Sequence, residues 1–190
     1  ASILTAARQE FAEKGLNGGR VAQIAKDAGV NKQLVYYYFG SKDELYKSAL
    51  EAIYEDIRSR EQELDLSHLS PRKAIIRLVD FSLNYLNEHR DFIQILADDN
   101  PHAARHLHTS KIALKTNSSL LDSIEETLKR GEREGIFRPD IDPLELYVSI
   151  AGMAFFYFSN GLTLSAIFGR DLSTPESFTS YRDHVVTLIL

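Results

Sequence analysis

The chain has no cysteine, no tryptophan, a single methionine and only five prolines in 190 residues. Without cysteine there can be no disulfide, no thiolate zinc site and no cysteine nucleophile. That usage suits a reducing compartment, and a cytoplasmic location is expected. A basic, Ser-rich or signal-like leader is missing as well. So are a phosphate-binding glycine loop, a G-x-S-x-G elbow and an H-E-x-x-H pair. The obvious carboxylate pairs are Asp98-Asp99, Glu125-Glu126 and Asp140/Asp142, and neighbours on a helix point apart. Neither catalysis nor a cofactor is expected. The chain starts at Ala1 rather than Met and ends in the apolar run Val185–Leu190, so both ends are read as trimmed.

Net charge is −5, which argues against nucleic acid until it is divided. Residues 1–50 carry seven Lys/Arg against five Asp/Glu, while the other 140 carry 15 against 22. A mildly basic head on an acidic body is a pattern that polyanions can recognise.

One long stretch, Leu146–Gly169, has no charged residue over 24 positions, long enough to span a bilayer. Ser149, Gly152, Ser159, Asn160, Gly161, Thr163 and Ser165 interrupt it, and Asn160-Gly161 reads as a helix stop. The expectation is a helix buried in a core or a dimer seam, with no membrane partner.

No Val/Ile/Thr-rich alternation bounded by turn residues occurs, and the fold class is all-α. Four prolines follow a residue able to cap: Ser70-Pro71, Asn100-Pro101, Asp142-Pro143 and Thr174-Pro175. Each pair marks a helix start, with an acceptor at N-cap and a fixed φ at N1. Ser41–Glu44 and Asp142–Glu145 have capping-box spacing. The spacing predicts helices over about 2–14, 20–28, 31–38, 42–66, 71–88, 90–99, 101–108, 110–134, 143–160 and 174–190. In the fourth, Leu45, Ala49, Ala52, Ile53 and Ile57 form a buried stripe, and the charged part Glu51–Glu63 is expected to run along the surface.

The informative segment is Arg20–Phe39. A short helix with Val21, Ile24 and Ala25 inward ends at Gly29, which can take a left-handed turn. Val30 fills the corner, Asn31 caps the next helix, and Val35 and Phe39 face in. These features describe a helix-turn-helix. The second helix turns Lys32, Gln33, Tyr36 and Tyr37 outward, suited to base edges and phosphates, and Lys42 opens the following helix. The three tyrosines could instead be core, but three adjacent residues cannot share one helix face, so at least one is exposed. Tyr38 is expected to be partly buried.

On Ile24-Ala25, Ala28-Gly29-Val30, Leu34–Phe39, Ser41-Lys42 and Leu45, residues 3–50 resemble the N-terminal domain of the TetR family of bacterial transcriptional regulators. Gly131–Pro139 and Asp142-Pro143 resemble the turn before the family's penultimate long helix. The resemblance implies a three-helix DNA-binding domain over 1–48 and a larger helical effector-binding and dimerisation domain over 49–190. It implies a cytoplasmic homodimer that represses from a double-stranded, near-palindromic operator and is released by a small-molecule effector of unknown identity. The DNA contacts it implies are Arg20, Val21, Asn31, Lys32, Gln33, Leu34, Tyr36, Tyr37, Tyr38 and Lys42. Arg20 departs from the family's usual Thr or Ser; it cannot cap in that way but can still meet a phosphate.

Candidate effector contacts are Phe92, Leu96, Asn100, His106, Asn117, Leu121, Met153 and Tyr157, which offer apolar walls with a few polar groups. His102, His106 and His108 raise a metal-responsive alternative, since residues 102 and 106 share a helix face; no metal site is expected, because converging ligands are too few. A regulator that activates through a protein partner is the other alternative.

Overall fold

The structure, a computed structural model, describes residues 2–99 and 111–190, apart from the side chains of 111–118. Among the described residues all regular structure is helical. The elements are α1 (Ile3–Gly18), α2 (Val21–Ala28), α3 (Lys32–Phe39), α4 (Lys42–Gln62), a 3-10 turn (Leu66–His68), α5 (Pro71–Glu88), α6 (Arg90–Asp99), α7 (Lys111–Arg133), α8 (Pro143–Ser159), α9 (Gly161–Phe168) and α10 (Pro175–Ile189). The helix expected over 101–108 and the Asn100-Pro101 cap lie outside the described residues.

Local chemistry accounts for the ends. Asp142 and Thr174 accept from the amides of Glu145 and Ser177 at 2.9 and 3.2 Å, ahead of a proline at the first turn in each case. Ser41 Oγ accepts from Glu44 N at 3.1 Å. α4 stops at Gln62, four residues short of the expected end. Asp65 takes a left-handed conformation with φ 45° and the 3-10 turn follows. Arg130 holds that turn, its guanidinium donating to the carbonyls of Leu66, Ser67 and Leu69 at 2.9–3.0 Å.

The chain forms two compact units. The first comprises the described residues of Ala1–Ile57 and His89–Thr116, and the second those of Arg58–Glu88 and Asn117–Leu190. In the first, α1 packs on α6 and α2, and α2 on α3. Phe11, Ile24, Val35, Leu45, Tyr46, Leu50 and Ile95 are buried, and Phe11 meets Tyr46 edge-on with ring centroids 5.1 Å apart. Each such side chain withdrawn from water contributes about 1.5–3 kcal/mol before entropy is counted. This unit runs past residue 48 and takes in α6, so contacts do not divide the chain at the 48/49 boundary.

In the second unit α5 packs on α8 and α10 through Ala74, Ile75, Leu78, Val79, Leu83 and Leu86. Phe137 closes over Gly131, where the backbone turns back with Ile136 N donating to Gly131 O at 2.8 Å. The surface expected along Glu51–Glu63 is interrupted: Arg58 and Glu61 are only 8% and 4% exposed. Mutual charge neutralisation and the Tyr147 hydroxyl, 2.9 Å from Arg58 Nη1, make that burial tolerable.

Asn160 does end a helix, but the chain enters α9 at once, bent by 68°. No single described helix is long and apolar enough to cross a membrane; α8 and α9 reach that length only as a bent pair. The four aromatics of α8 are divided among faces. Tyr157 is buried, Phe155 and Phe158 are half-buried, and Phe156 is exposed.

Candidate nucleic-acid interface

The helix-turn-helix closes through backbone chemistry that its sequence specifies. Gly29 adopts φ 73° and ψ 28°, and Val30 N donates to Ala25 O at 2.9 Å across the turn. Asn31 Oδ1 then accepts from Leu34 N at 2.8 Å and starts α3. Ile24, Ala25 and Val35 are buried between the helices. α3 ends at Gly40, which has φ 75°.

With Val35 fixed inward, the opposite side of α3 faces water. Asn31, Lys32, Gln33 and Tyr36 are exposed and Leu34 is half-buried. Tyr37 is 81% and Tyr38 65% exposed, so Tyr38 joins the outward surface rather than the core. Their rings meet edge-to-face at 5.4 Å, and Lys32 Nζ stands 5.5 Å from the centre of the Tyr36 ring. The result is a short helix with a cation, an amide and three phenols on its free side. Such groups can donate to phosphates, and Lys and Gln can reach base edges.

Arg20 precedes α2, and Lys42 opens the helix that follows α3. Arg20 makes no side-chain cap; its backbone N–H donates instead to Glu10 Oε1 at 2.9 Å, which leaves the exposed guanidinium available to solvent. The Lys42 ammonium donates to Asn17 O at 3.1 Å, a partner 25 residues away that local spacing cannot reveal. Val21 is a correction. Its side chain is 5% exposed and packs inward with Ile24 and Ala25, so it does not share the surface of Lys32 and the tyrosines.

The candidate effector residues are distributed over both units. Phe92 and Leu96 belong to the first unit, where the Phe92 ring meets Tyr54 at 5.8 Å. Leu121, Met153 and Tyr157 belong to the second. There Tyr157 stacks on Tyr181 at 4.1 Å and donates to Leu172 O at 2.7 Å, while Met153 O accepts from the Tyr181 hydroxyl. Asn100 and His106, like His102 and His108, lie outside the described residues, as does the Asn117 side chain. No metal-binding group of His, Asp and Glu occurs among the described residues.

What sequence reading missed is the group around Arg58. Burial pushes the Glu61 carboxyl above the usual carboxylate range against the pull of Arg58. It raises the Tyr147 phenol too, helped by Glu61. An Arg and a Glu three apart on a charged helix look like any solvated pair, so no sequence signal was available.

Residues 3–49 match the family described as bacterial regulatory proteins, tetR family, and residues 71–189 match the tetracyclin repressor-like C-terminal domain. The chain is 34% identical over 189 residues to the HTH-type transcriptional repressor NicS of Pseudomonas putida, covering 100% of this chain and 89% of that protein. It is 28% identical over 140 residues to the HTH-type transcriptional repressor KstR2 of Mycobacterium tuberculosis, covering 74% and 70% of the two chains. The fold is similar to that of the transcriptional regulator FadR of Bacillus subtilis, solved with stearoyl-CoA: the TM-score is 0.67 at 18% identity, over 98% of this chain and 95% of that one.

Proposed function

The chain belongs to the TetR family of bacterial transcriptional regulators, and we propose that it works as a cytoplasmic homodimer that represses transcription until a small molecule releases it. That it is a DNA-binding transcriptional regulator follows from the family. The observation that carries the proposed DNA contact is the free face of α3, where Lys32, Gln33, Tyr36, Tyr37 and Tyr38 stand in solvent; Arg20, at the start of α2, is exposed as well. A helix of this length fits the major groove, and two copies related by a two-fold axis would read two half-sites about one helical turn apart. Residues 1–48 are assigned to DNA and 49–190 to effector and partner.

Dimerisation is supported by apolar side chains on the last helices. Leu144, Val148 and Phe156 on α8 and Leu188 on α10 are more than half exposed. Apolar surface of this kind is normally covered by a partner. An effector within 49–190 would act by favouring one of two conformations, releasing DNA to the extent of its differential affinity for them. The B. subtilis FadR complex with stearoyl-CoA shows that a regulator of this fold accommodates a small molecule. Here Leu121, Met153 and Tyr157 remain the proposed contacts in the second unit.

The test is binding of the purified chain to the DNA upstream of its own gene, titrated with salt and with random duplex as competitor. Tight, competitor-resistant binding with a steep salt slope is expected. Equal, weak binding to both DNAs would overturn the assignment of that segment as its operator.

A further inference from the structure

We propose that Asp98 of α6 is a positioning residue for the DNA-reading segment: it holds the connection between α1 and α2 through the Leu16 amide and the Tyr46 hydroxyl. The inference rests on the DNA-binding reading above and adds to it a residue beyond the first 48.

α1 is not one regular helix. At Gly15 the backbone turns to φ 66° and ψ 176°, a conformation strongly disfavoured for residues with a Cβ. The next amide, Leu16 N–H, donates to Asp98 Oδ2 at 2.8 Å. The same carboxylate oxygen accepts from the Tyr46 hydroxyl at 3.2 Å, and that hydroxyl also lies 3.3 Å from Ile95 O. A Cβ placed on Gly15 would stand 2.6 Å from Asp98 Oδ1. Gly15 therefore does two things at once: it permits the kink and leaves room for the carboxylate that satisfies it.

Two further side chains hold the same connection. Lys42 Nζ donates to Asn17 O, and Glu10 Oε1 accepts from Arg20 N. Residues 16, 17 and 20 are thus pinned from three elements, and α2 begins directly after them. Glu10 and Lys42 lie within the first 48 residues; Asp98 reaches in from α6. Burial and the Asp98 charge raise the Tyr46 phenol above its ordinary range, so it stays a neutral donor at any physiological pH. The nearby Arg8–Asp91 pair, at 2.7 Å, also joins α1 to α6. It is part-exposed, and such pairs contribute little. A carboxylate bound to a backbone amide is a charge-assisted bond of about twice the ordinary strength.

The experiment compares the full-length wild type with Asp98→Ala, Asp98→Asn and Gly15→Ala. Operator and random-duplex binding are measured at a temperature where circular dichroism shows each variant folded, and the Leu16 amide is followed by hydrogen exchange. Asp98→Ala and Gly15→Ala should each weaken operator binding about tenfold, the order expected for losing one charged hydrogen bond, with random-duplex binding unchanged. Asp98→Asn keeps an acceptor oxygen and should recover most of the loss. Asp98→Ala combined with Gly15→Ala should bind no more weakly than the worse of the two singles. Operator binding by Asp98→Ala within twofold of wild type would overturn the proposal, as would equal losses on operator and random duplex. If the wild type itself shows no operator preference, the DNA reading fails separately. Leu16 exchange then still decides whether Asp98 holds the connection: unchanged exchange in Asp98→Ala sinks it.

Discussion

Arg58 and Glu61, one turn apart at the end of α4, form an ion pair almost wholly withdrawn from water, with Arg58 Nη1 also donating to the Tyr147 hydroxyl at 2.9 Å. Its Nε is buried without a partner. A buried pair is a poor source of net stability, because desolvating two charges offsets much of their attraction.

Removing one partner should therefore cost more than removing both. Arg58→Met leaves the buried carboxylate without its counter-ion and should destabilise by about 3–5 kcal/mol, while Arg58→Met with Glu61→Leu should recover most of that. Urea denaturation of the two variants measures it. Equal losses in the single and double variants would show that packing, not charge, dominates.

The same pair sets a pH dependence. Glu61 is held above the usual carboxylate range by burial, so between its unfolded and folded pKa the native state binds the extra proton. Wild-type stability relative to Glu61→Gln should then rise as pH falls through that window and decline as pH climbs out of it. A difference curve of denaturation midpoints between the two proteins reads this directly, since the other carboxylates cancel.

Tyr37 is largely in solvent, so Tyr37→Ala should leave the unfolding midpoint nearly unchanged. If it makes one good phosphate or stacking contact, operator affinity should fall by about 1–2 kcal/mol. Fluorescence anisotropy against the upstream DNA checks this, and an unaltered affinity would remove Tyr37 from the interface.

Lys32 and Gln33 are neighbours on α3 with different expected duties. Lys32→Ala, which removes a cation as well as a base-edge donor, should weaken operator binding and lower the salt slope by about one. Gln33→Ala should instead relax preference at one base pair, at about 1–3 kcal/mol, with the slope unchanged. Matched salt titrations on operator and single-base variants separate the two.

Phe156 tests the oligomer. It is exposed although it sits on the apolar α8, and Phe156→Glu should shift sedimentation toward monomer and abolish tight operator binding together. A monomeric variant with wild-type affinity would break the link between dimer and DNA.

The helix-turn-helix was legible because its signals are local. Gly29 and Asn31 each act within five residues, and Val35 packs toward the immediately preceding helix. The caps at Asp142 and Thr174 were legible for the same reason. The kink at Gly15 was not, since the residue that satisfies it is Asp98, 82 positions from Leu16. Nor was the early end of α4, where Arg130 closes the turn across 61–64 residues. Val21 was read inward from its spacing and is buried; only the family resemblance had placed it among the DNA contacts. Burial of Arg58 depended on Tyr147, 89 residues away.

The first unit is discontinuous: α6 belongs to it, although α5 intervenes in the sequence. Modularity therefore does not follow the chain. A hybrid that exchanges residues 1–48 with another regulator would confront Asp91 and Asp98 with a foreign α1, and would inherit working contacts only if the donor offered a basic residue at 8, a glycine at 15 and a tyrosine at 46. Recombination between such genes would thereby be constrained at residues outside α3. Domain exchange is easiest among relatives that share this stitch, and a transplant that carries α6 with the head keeps it intact.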